Sequence, residues 1–156
     1  MAASRISLAG DPTCQGGPKN SGSRVAARQD KVKPMTNLLP HPAPCTATID
    51  AFRPKATSIT GNDQTEASVS LWEDADDSAS TGIWECTPGR FTTFRENSTE
   101  TCFILAGRVT LHSDNGEKHT FAAGDMFTLP MGWRGSWEVH ETVRKVYFIA
   151  KGNSAA

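Results

Sequence analysis

Beyond Ala67 the chain is a succession of short runs in which apolar and polar positions alternate. The runs are 68–72 (S-V-S-L-W), 82–86 (G-I-W-E-C), 91–96 (F-T-T-F-R-E), 101–105 (T-C-F-I-L), 108–112 (R-V-T-L-H), 118–121 (K-H-T-F), 126–129 (M-F-T-L), 136–139 (S-W-E-V) and 144–150 (R-K-V-Y-F-I-A). Period-two alternation marks half-buried strands, and no window of about ten residues holds the 3.6-residue period of a helix. Short strands set apart by turn-forming residues predict an all-β sandwich or barrel.

The breaks predict particular turns. Gly107 and Gly124 are expected where strands reverse, and Gly124-Asp125 pairs a residue free to take positive φ with a side chain that bonds nearby backbone. Pro130 with Gly132 should end a strand and turn the chain sharply. Asn115-Gly116 is the preferred pair for a two-residue type I′ hairpin. That register sets Asp114 opposite Glu117 and His112 opposite His119.

The first 66 residues have a different texture. Residues 1–34 are rich in Gly, Ser, Pro, Ala and Arg without periodicity, and read as a disordered basic leader. Its composition is also that of a transit peptide, although Asp11 and the G-D-P and G-G-P breakers interrupt an amphipathic helix. Met35 offers an alternative start, M-T-N-L-L-P, and a leader lying upstream of the true start is the preferred explanation. Residues 35–66, with Pro40, Pro42, Pro44 and Pro54, read as an extended arm over the body that adds at most one strand. The globular domain is expected over 67–151, followed by a disordered tail, 152–156.

Charge and cysteine usage narrow the function classes. Six bases against two acids sit in residues 1–34, leaving the body with ten bases against fifteen acids. An acidic body argues against nucleic acid as a partner. No apolar run approaches the roughly 18 residues of a membrane span, so no membrane partner is expected and the location reads as cytoplasmic. Cys14, Cys45, Cys86 and Cys102 form no CxxC pair and no zinc spacing; reduced thiols are the expectation.

Four segments carry a resemblance: W-E-C-T-P-G (84–89), E-T-C-F-I-L-A-G (100–107), A-G-D-M-F-T-L-P-M-G-W-R-G-S-W (123–137) and V-R-K-V-Y (143–147). In this order they resemble the two motifs of the cupin superfamily, most closely the small single-domain cupins grouped with the (S)-ureidoglycine aminohydrolase cupin domain. The resemblance implies a double-stranded β-helix, or jelly-roll barrel. In metal-binding cupins it also implies two histidines one residue apart, an acid four or five positions later, and a third histidine in the second motif. Here Glu100 matches the acid, while Thr93 to Glu96 and Gly135 stand at the histidine positions.

Strand alternation puts Glu100, Cys102 and Ile104 on one face. If Glu100 points inward, Arg95 or Glu96 can reach the same cavity. One option is a non-standard metal set including Glu100; the other, favoured here, is a Glu100–Arg95 ion pair in a polar pocket. A divalent metal is therefore disfavoured as a cofactor. Trp84, Trp133 and Trp137 flank the motifs and are candidates to line a barrel mouth. Lys145 and Tyr147 share a face, so Lys145 can pair with Glu100 or grip a ligand carboxylate; a solvated edge strand is the alternative. His112 and His119 read as hairpin residues, and nothing near His140 recruits it.

The expectation is thus a small-molecule-binding cupin without the usual histidine ligands, its ligand a small polar metabolite. One alternative is a metal-dependent enzyme of ureide or related metabolism. The other is a non-catalytic scaffold or regulator that forms a homodimer.

Overall fold

A computed structural model describes residues 37–61 and 63–152. The expected leader (1–34) and most of the tail lie outside the described residues. Among those described no helix forms. Eight strands do: β1 (Arg53–Pro54), β2 (Thr65–Glu73), β3 (Ala79–Cys86), β4 (Gly89–Phe94), β5 (Ser98–Ser113), β6 (Lys118–Ala122), β7 (Met126–Leu129) and β8 (Arg134–Lys151).

All pairings are antiparallel, and two long strands organise them. The first half of β5, residues 98–106, pairs β7 and the second half of β8. Its second half, 109–113, pairs β6 and the first half of β8. β8 likewise pairs β4 through 134–139 and β3 through 143–150. Changing partners halfway along lets the sheet fold over on itself, the expected jelly-roll arrangement. Inward residues of β3, β4, β5, β7 and β8 meet in one core around Ile104, Val109, Trp137 and Val143.

The crease explains where the strand expectations fail. The runs 101–105 and 108–112 are a single strand, as are 136–139 and 144–150. Gly107 does not reverse the chain. It sits inside β5 with φ of 82°, where the β5–β8 register slips repeatedly between Ile104 and Val109. A Cβ at Gly107 would lie 2.2 Å from the Thr142 carbonyl oxygen, so the residue serves a bulge with close backbone approach. Gly124 (φ 94°) does turn the chain between β6 and β7, with Asp125 accepting the Ala122 N–H at 2.8 Å.

The hairpin register also differs by one residue. Leu111 pairs His119 and His112 pairs Lys118. Only Gly116 takes positive φ (92°), and its N–H donates to the Ser113 carbonyl. The loop is therefore the three residues Asp114–Gly116, a turn followed by a left-handed residue rather than a type I′ pair. His112 and His119 consequently face opposite sides of the sheet. His112 Nε2 meets Glu138 at 2.8 Å, and His140, expected to be isolated, lies 2.8 Å from Thr110 Oγ1.

Part of the expected arm is built into the body. β1 pairs β2, and the following segment bonds β4 through Ile59 N–H to Arg90 O (2.7 Å) and Thr92 N–H to Thr57 O (3.1 Å). Residues 53–60 thus run from an edge of one half of the barrel to an edge of the other. Farther out, the Arg144 guanidinium donates to the carbonyls of Pro44 (3.0 Å) and Ala47 and pairs Glu85 at 2.7 Å.

Candidate functional site

The inward positions of the first half of β5 and the second half of β8 build the site. Alternation turns Glu100, Cys102 and Ile104 inward as expected, and Lys145 and Tyr147 with them. β8 lies between β3 and β5, which rules out the solvated-edge alternative for Lys145. Glu100 and Lys145 are 2% and 4% exposed, a burial at which a lone charge would be prohibitive.

The charges are paired. Lys145 Nζ donates to Glu100 Oε1 at 2.8 Å and to Cys102 Sγ at 3.3 Å. It also sits over the Trp137 and Trp84 rings, 4.4 and 4.7 Å from their centroids. The Arg95 guanidinium contacts the second carboxylate oxygen of Glu100. The expected Glu100–Arg95 pair exists, and Lys145 makes it a triad.

Arg95 is held there by the second motif. In the Pro130–Trp133 turn, Gly132 has φ of 88° and the Trp133 N–H donates to Pro130 O. The Gly132 N–H then donates to Arg95 O at 2.7 Å, and the Arg95 N–H to Trp133 O at 2.9 Å. The P-x-G segment therefore places the Arg95 backbone, as well as ending β7.

Burial raises the Glu100 pKa, but Lys145, Arg95 and the hydrogen bonds to the carboxylate outweigh it and hold the group below its usual value. Burial pushes Lys145 down; facing groups return it above the ordinary lysine value. Of those groups Cys102 is itself pushed up to about 11 by burial, so it is a neutral thiol near pH 7. The charge that keeps Lys145 protonated is that of Glu100. Burial also raises Tyr147, with Glu100 adding to it, so the phenol is neutral.

Above the triad lies a cavity of about 240 Å³. Trp84, Phe91 and Trp137 wall it, packed edge-to-face or stacked with centroids 5.6–5.8 Å apart. Thr93, Arg95, Glu100, Lys145 and Tyr147 also line it. Tyr147 needs Gly82 across the sheet, where a Cβ would come within 2.4 Å of the phenol oxygen.

Two candidates lie elsewhere. Glu96 is exposed and on the opposite side of the chain from Arg95, because alternation continues past β4. Trp133 packs against another part of the core and donates to Ser113 Oγ at 3.0 Å. Cys102 lies buried beside Lys145 without lining the cavity. Sequence reading missed Lys55 and Glu66. Lys55 Nζ pairs Glu66 at 2.7 Å, lies 4.6 Å from the Phe91 centroid, and shares Glu66 with the Trp84 indole N–H (2.8 Å). Lys55 is one of two cations in the Pro-rich arm, with Arg53, and nothing in its spacing to Glu66 singles it out.

The donor set does not fit a transition metal. Thr93 and Arg95 point into the cavity at the positions of the two first-motif histidines, and both Glu100 oxygens meet cations. At the third position, a Cβ on Gly135 would stand 2.2 Å from His112 O and 2.8 Å from the Trp133 ring. Among the described residues no three His, Cys, Asp or Glu side chains gather as a metal site.

Residues 73–147 match the family model described as the EutQ-like cupin domain. No curated protein matches the chain by sequence. Among solved structures, the putative ethanolamine utilization protein Q of Salmonella typhimurium aligns at 20% identity over 67% of this chain and all of its own, with a TM-score of 0.52. The EutQ protein of Clostridium difficile aligns at 18% identity over 61% of this chain and 69% of its own, with a TM-score of 0.51. A DUF861-family protein of unknown function from Pseudomonas syringae aligns at 25% identity and a TM-score of 0.56. That alignment covers 66% of this chain but only 43% of the Pseudomonas chain. At these identities the structural likeness is one of fold, and it agrees with the motif positions and the strand order. Over residues 73–147 the chain is similar to the EutQ-like cupin domain, and its fold is the cupin-type jelly-roll barrel.

Proposed function

We propose that this cupin domain binds a small polar metabolite in the cavity above Glu100, without a metal. The observation that carries the reading is the composition of the cavity: an aromatic wall over the buried Lys145–Glu100–Arg95 triad. Concave sites lined by aromatic side chains with a few convergent polar groups are the usual make-up of small-molecule sites. A barrel built for stability alone would fill these positions with apolar side chains, because each buried ion costs several kcal/mol to desolvate.

The test is a metabolite thermal-shift screen combined with metal analysis, on full-length protein purified without chelator or histidine tag. The expected result is a ligand that raises the melting temperature of wild type and Glu96→Gln. Glu100→Gln, which alters the charge of the triad, should change the size of that shift, and Ser68→Phe, which places a ring in the cavity, should abolish it. A shift unchanged in both cavity variants places the ligand elsewhere. Stoichiometric Mn, Fe, Zn or Ni would favour the finer alternative, an enzyme of ureide or related metabolism resembling (S)-ureidoglycine aminohydrolase.

We place the protein in the cytoplasm, where Cys45, Cys86 and Cys102, free in the structure, stay reduced. No helix among the described residues is long and apolar enough to cross a membrane. A second reading, self-association as a homodimer, is favoured by the neighbouring exposed side chains of Phe103, Met126 and Phe148 on β5, β7 and β8. Size-exclusion chromatography of chains starting at Met1 and Met35 tests it; elution of both as monomers would remove it.

A further inference from the structure

The charges around the cavity narrow the ligand class, an inference that rests on the small-molecule reading above. Three cations line the cavity, each from a different part of the chain: Lys55 after β1, Arg95 between β4 and β5, and Lys145 on β8. Two carboxylates, Glu66 and Glu100, face them. Lys55 and Glu66 neutralise each other at 2.7 Å, leaving Glu100 shared between Lys145 and Arg95. Among the described residues the cavity therefore carries one positive charge in excess.

That charge is best met at Arg95. The side chains of Lys145 and Glu100 are 5% and 3% exposed, whereas that of Arg95 is 22% exposed. Two buried N–H groups on lining residues, Arg95 Nε and Trp137 Nε1, also have no acceptor among the described residues. A guanidinium edge matches the planar fork of a carboxylate better than a lysine does. One negative charge brings the cavity to neutrality. A phosphate dianion would overshoot, leaving net negative charge against aromatic walls that cannot solvate it. The volume, about 240 Å³, lies below the roughly 300 Å³ at which drug-sized pockets begin.

We propose that the cavity takes a compact organic monocarboxylate, its carboxylate on Arg95 and its apolar body against the wall of Trp84, Phe91 and Trp137. The test pairs benzoate with its neutral isostere benzamide, and adds inorganic phosphate. Each is titrated into the full-length chain and followed by calorimetry and tryptophan fluorescence. Wild type should bind benzoate about tenfold or more tightly than benzamide, the ratio expected for one charge-assisted hydrogen bond. Arg95→Gln should remove that preference while leaving benzamide affinity within about twofold. If Arg95→Gln does not fold, Lys55→Gln serves instead: it removes the surplus charge and should also lower the preference.

Equal binding of benzoate and benzamide, both lost in Ser68→Phe, would overturn the carboxylate class and leave the cavity as the site. Benzoate binding that survives Ser68→Phe would overturn both readings. Phosphate binding tighter than benzoate, or no benzoate binding at millimolar concentration, would overturn the monocarboxylate.

Discussion

The two long strands carry opposite chemistry in their two halves. In one half the inward positions of β5 and β8 hold Glu100, Cys102, Lys145 and Tyr147; in the other they hold Val109, Leu111 and Val139, together with Trp137, whose ring also reaches the cavity wall. Strand geometry buries Glu100 and Lys145 about as deeply as Leu111 and Val139. Depth is thus a property of the fold, whereas the kind of side chain placed there separates support from function. The apolar half stabilises the barrel through burial. The charged half holds ions that need one another to be tolerated at all.

The largest effect that can break this comparison comes from removing one member of the pair. Glu100→Leu leaves Lys145 buried without a counter-charge and is expected to cost about 3–5 kcal/mol in urea denaturation. Leu111→Ala in the other half should cost about 2–5 kcal/mol, the range for a buried leucine cavity. The decisive variant is Glu100→Leu/Lys145→Met. Because a buried pair replaced by apolar groups is often neutral or stabilising, this double substitution should recover most of the loss. If it is as unstable as the single substitution, the charged half is structural and the contrast between the halves disappears.

pH sharpens the same contrast. Glu100 is held below its ordinary pKa in the folded state, so its contribution to stability is present above the unfolded value of about 4.3. It is lost as pH falls through the lowered folded value. Lys145 is held above its ordinary value, so its contribution is complete below about pH 10.4 and is lost as pH rises through the folded pKa. Wild type should therefore show a stability plateau that falls at both extremes. In Glu100→Leu/Lys145→Met both limbs should be shallower, measured as the urea midpoint against pH. Asp76 and Glu138, also held low by hydrogen bonds, titrate in both proteins and cancel in the difference. Identical acid limbs would mean that Glu100 does not carry this part of the pH dependence.

Much of the charged half was legible because alternation needs only local sequence. With Glu100 inward, alternation puts Cys102 inward too, and the same rule on β8 sets Lys145 and Tyr147 on one face. Lys55 was not legible, because its place depends on a segment crossing from β2 to β4 that has no periodic signature; Glu66, on β2, joins the site through Lys55 and the Trp84 indole. Glu96 and Trp133 were misassigned for a related reason. Motif proximity put them near the cavity, but alternation past β4 and the Pro130–Trp133 turn send their side chains elsewhere. The hairpin missed by one residue because Asn-Gly also serves a three-residue loop in which only the glycine needs positive φ.

Gly107 is the clearest case of a residue correctly marked and wrongly explained. The sequence signals an unusual backbone but does not distinguish a chain reversal from a crease inside a strand. The two explanations separate by substitution. Gly116 and Gly107 both take positive φ, yet a Cβ at Gly116 meets nothing within 4 Å, while at Gly107 it meets the Thr142 backbone. Gly116→Ala should cost about 1–2 kcal/mol from backbone strain alone. Gly107→Ala adds overpacking against β8 and should cost about 2–5 kcal/mol. Equal losses would mean that the close approach at the crease is relieved by small shifts and does not join the halves rigidly.

The smallest expected effect lies on the outside of that crease. Arg108 Nε meets Glu141 Oε1 at 3.2 Å across the same register slip, with side chains 46% and 64% exposed. Exposed pairs contribute about 0–1 kcal/mol and are screened by salt. A double-mutant cycle of Arg108→Ala and Glu141→Ala should therefore give a coupling below about 1 kcal/mol that shrinks at high salt. The corresponding cycle on Glu100 and Lys145 should give a coupling several times larger and far less sensitive to salt, because the side chains of that pair are only 3% and 5% exposed. A large coupling at Arg108–Glu141 would move the junction of the halves from the glycine backbone to a surface ion pair. Salt would then loosen the crease and, through Lys145 beside it, the cavity.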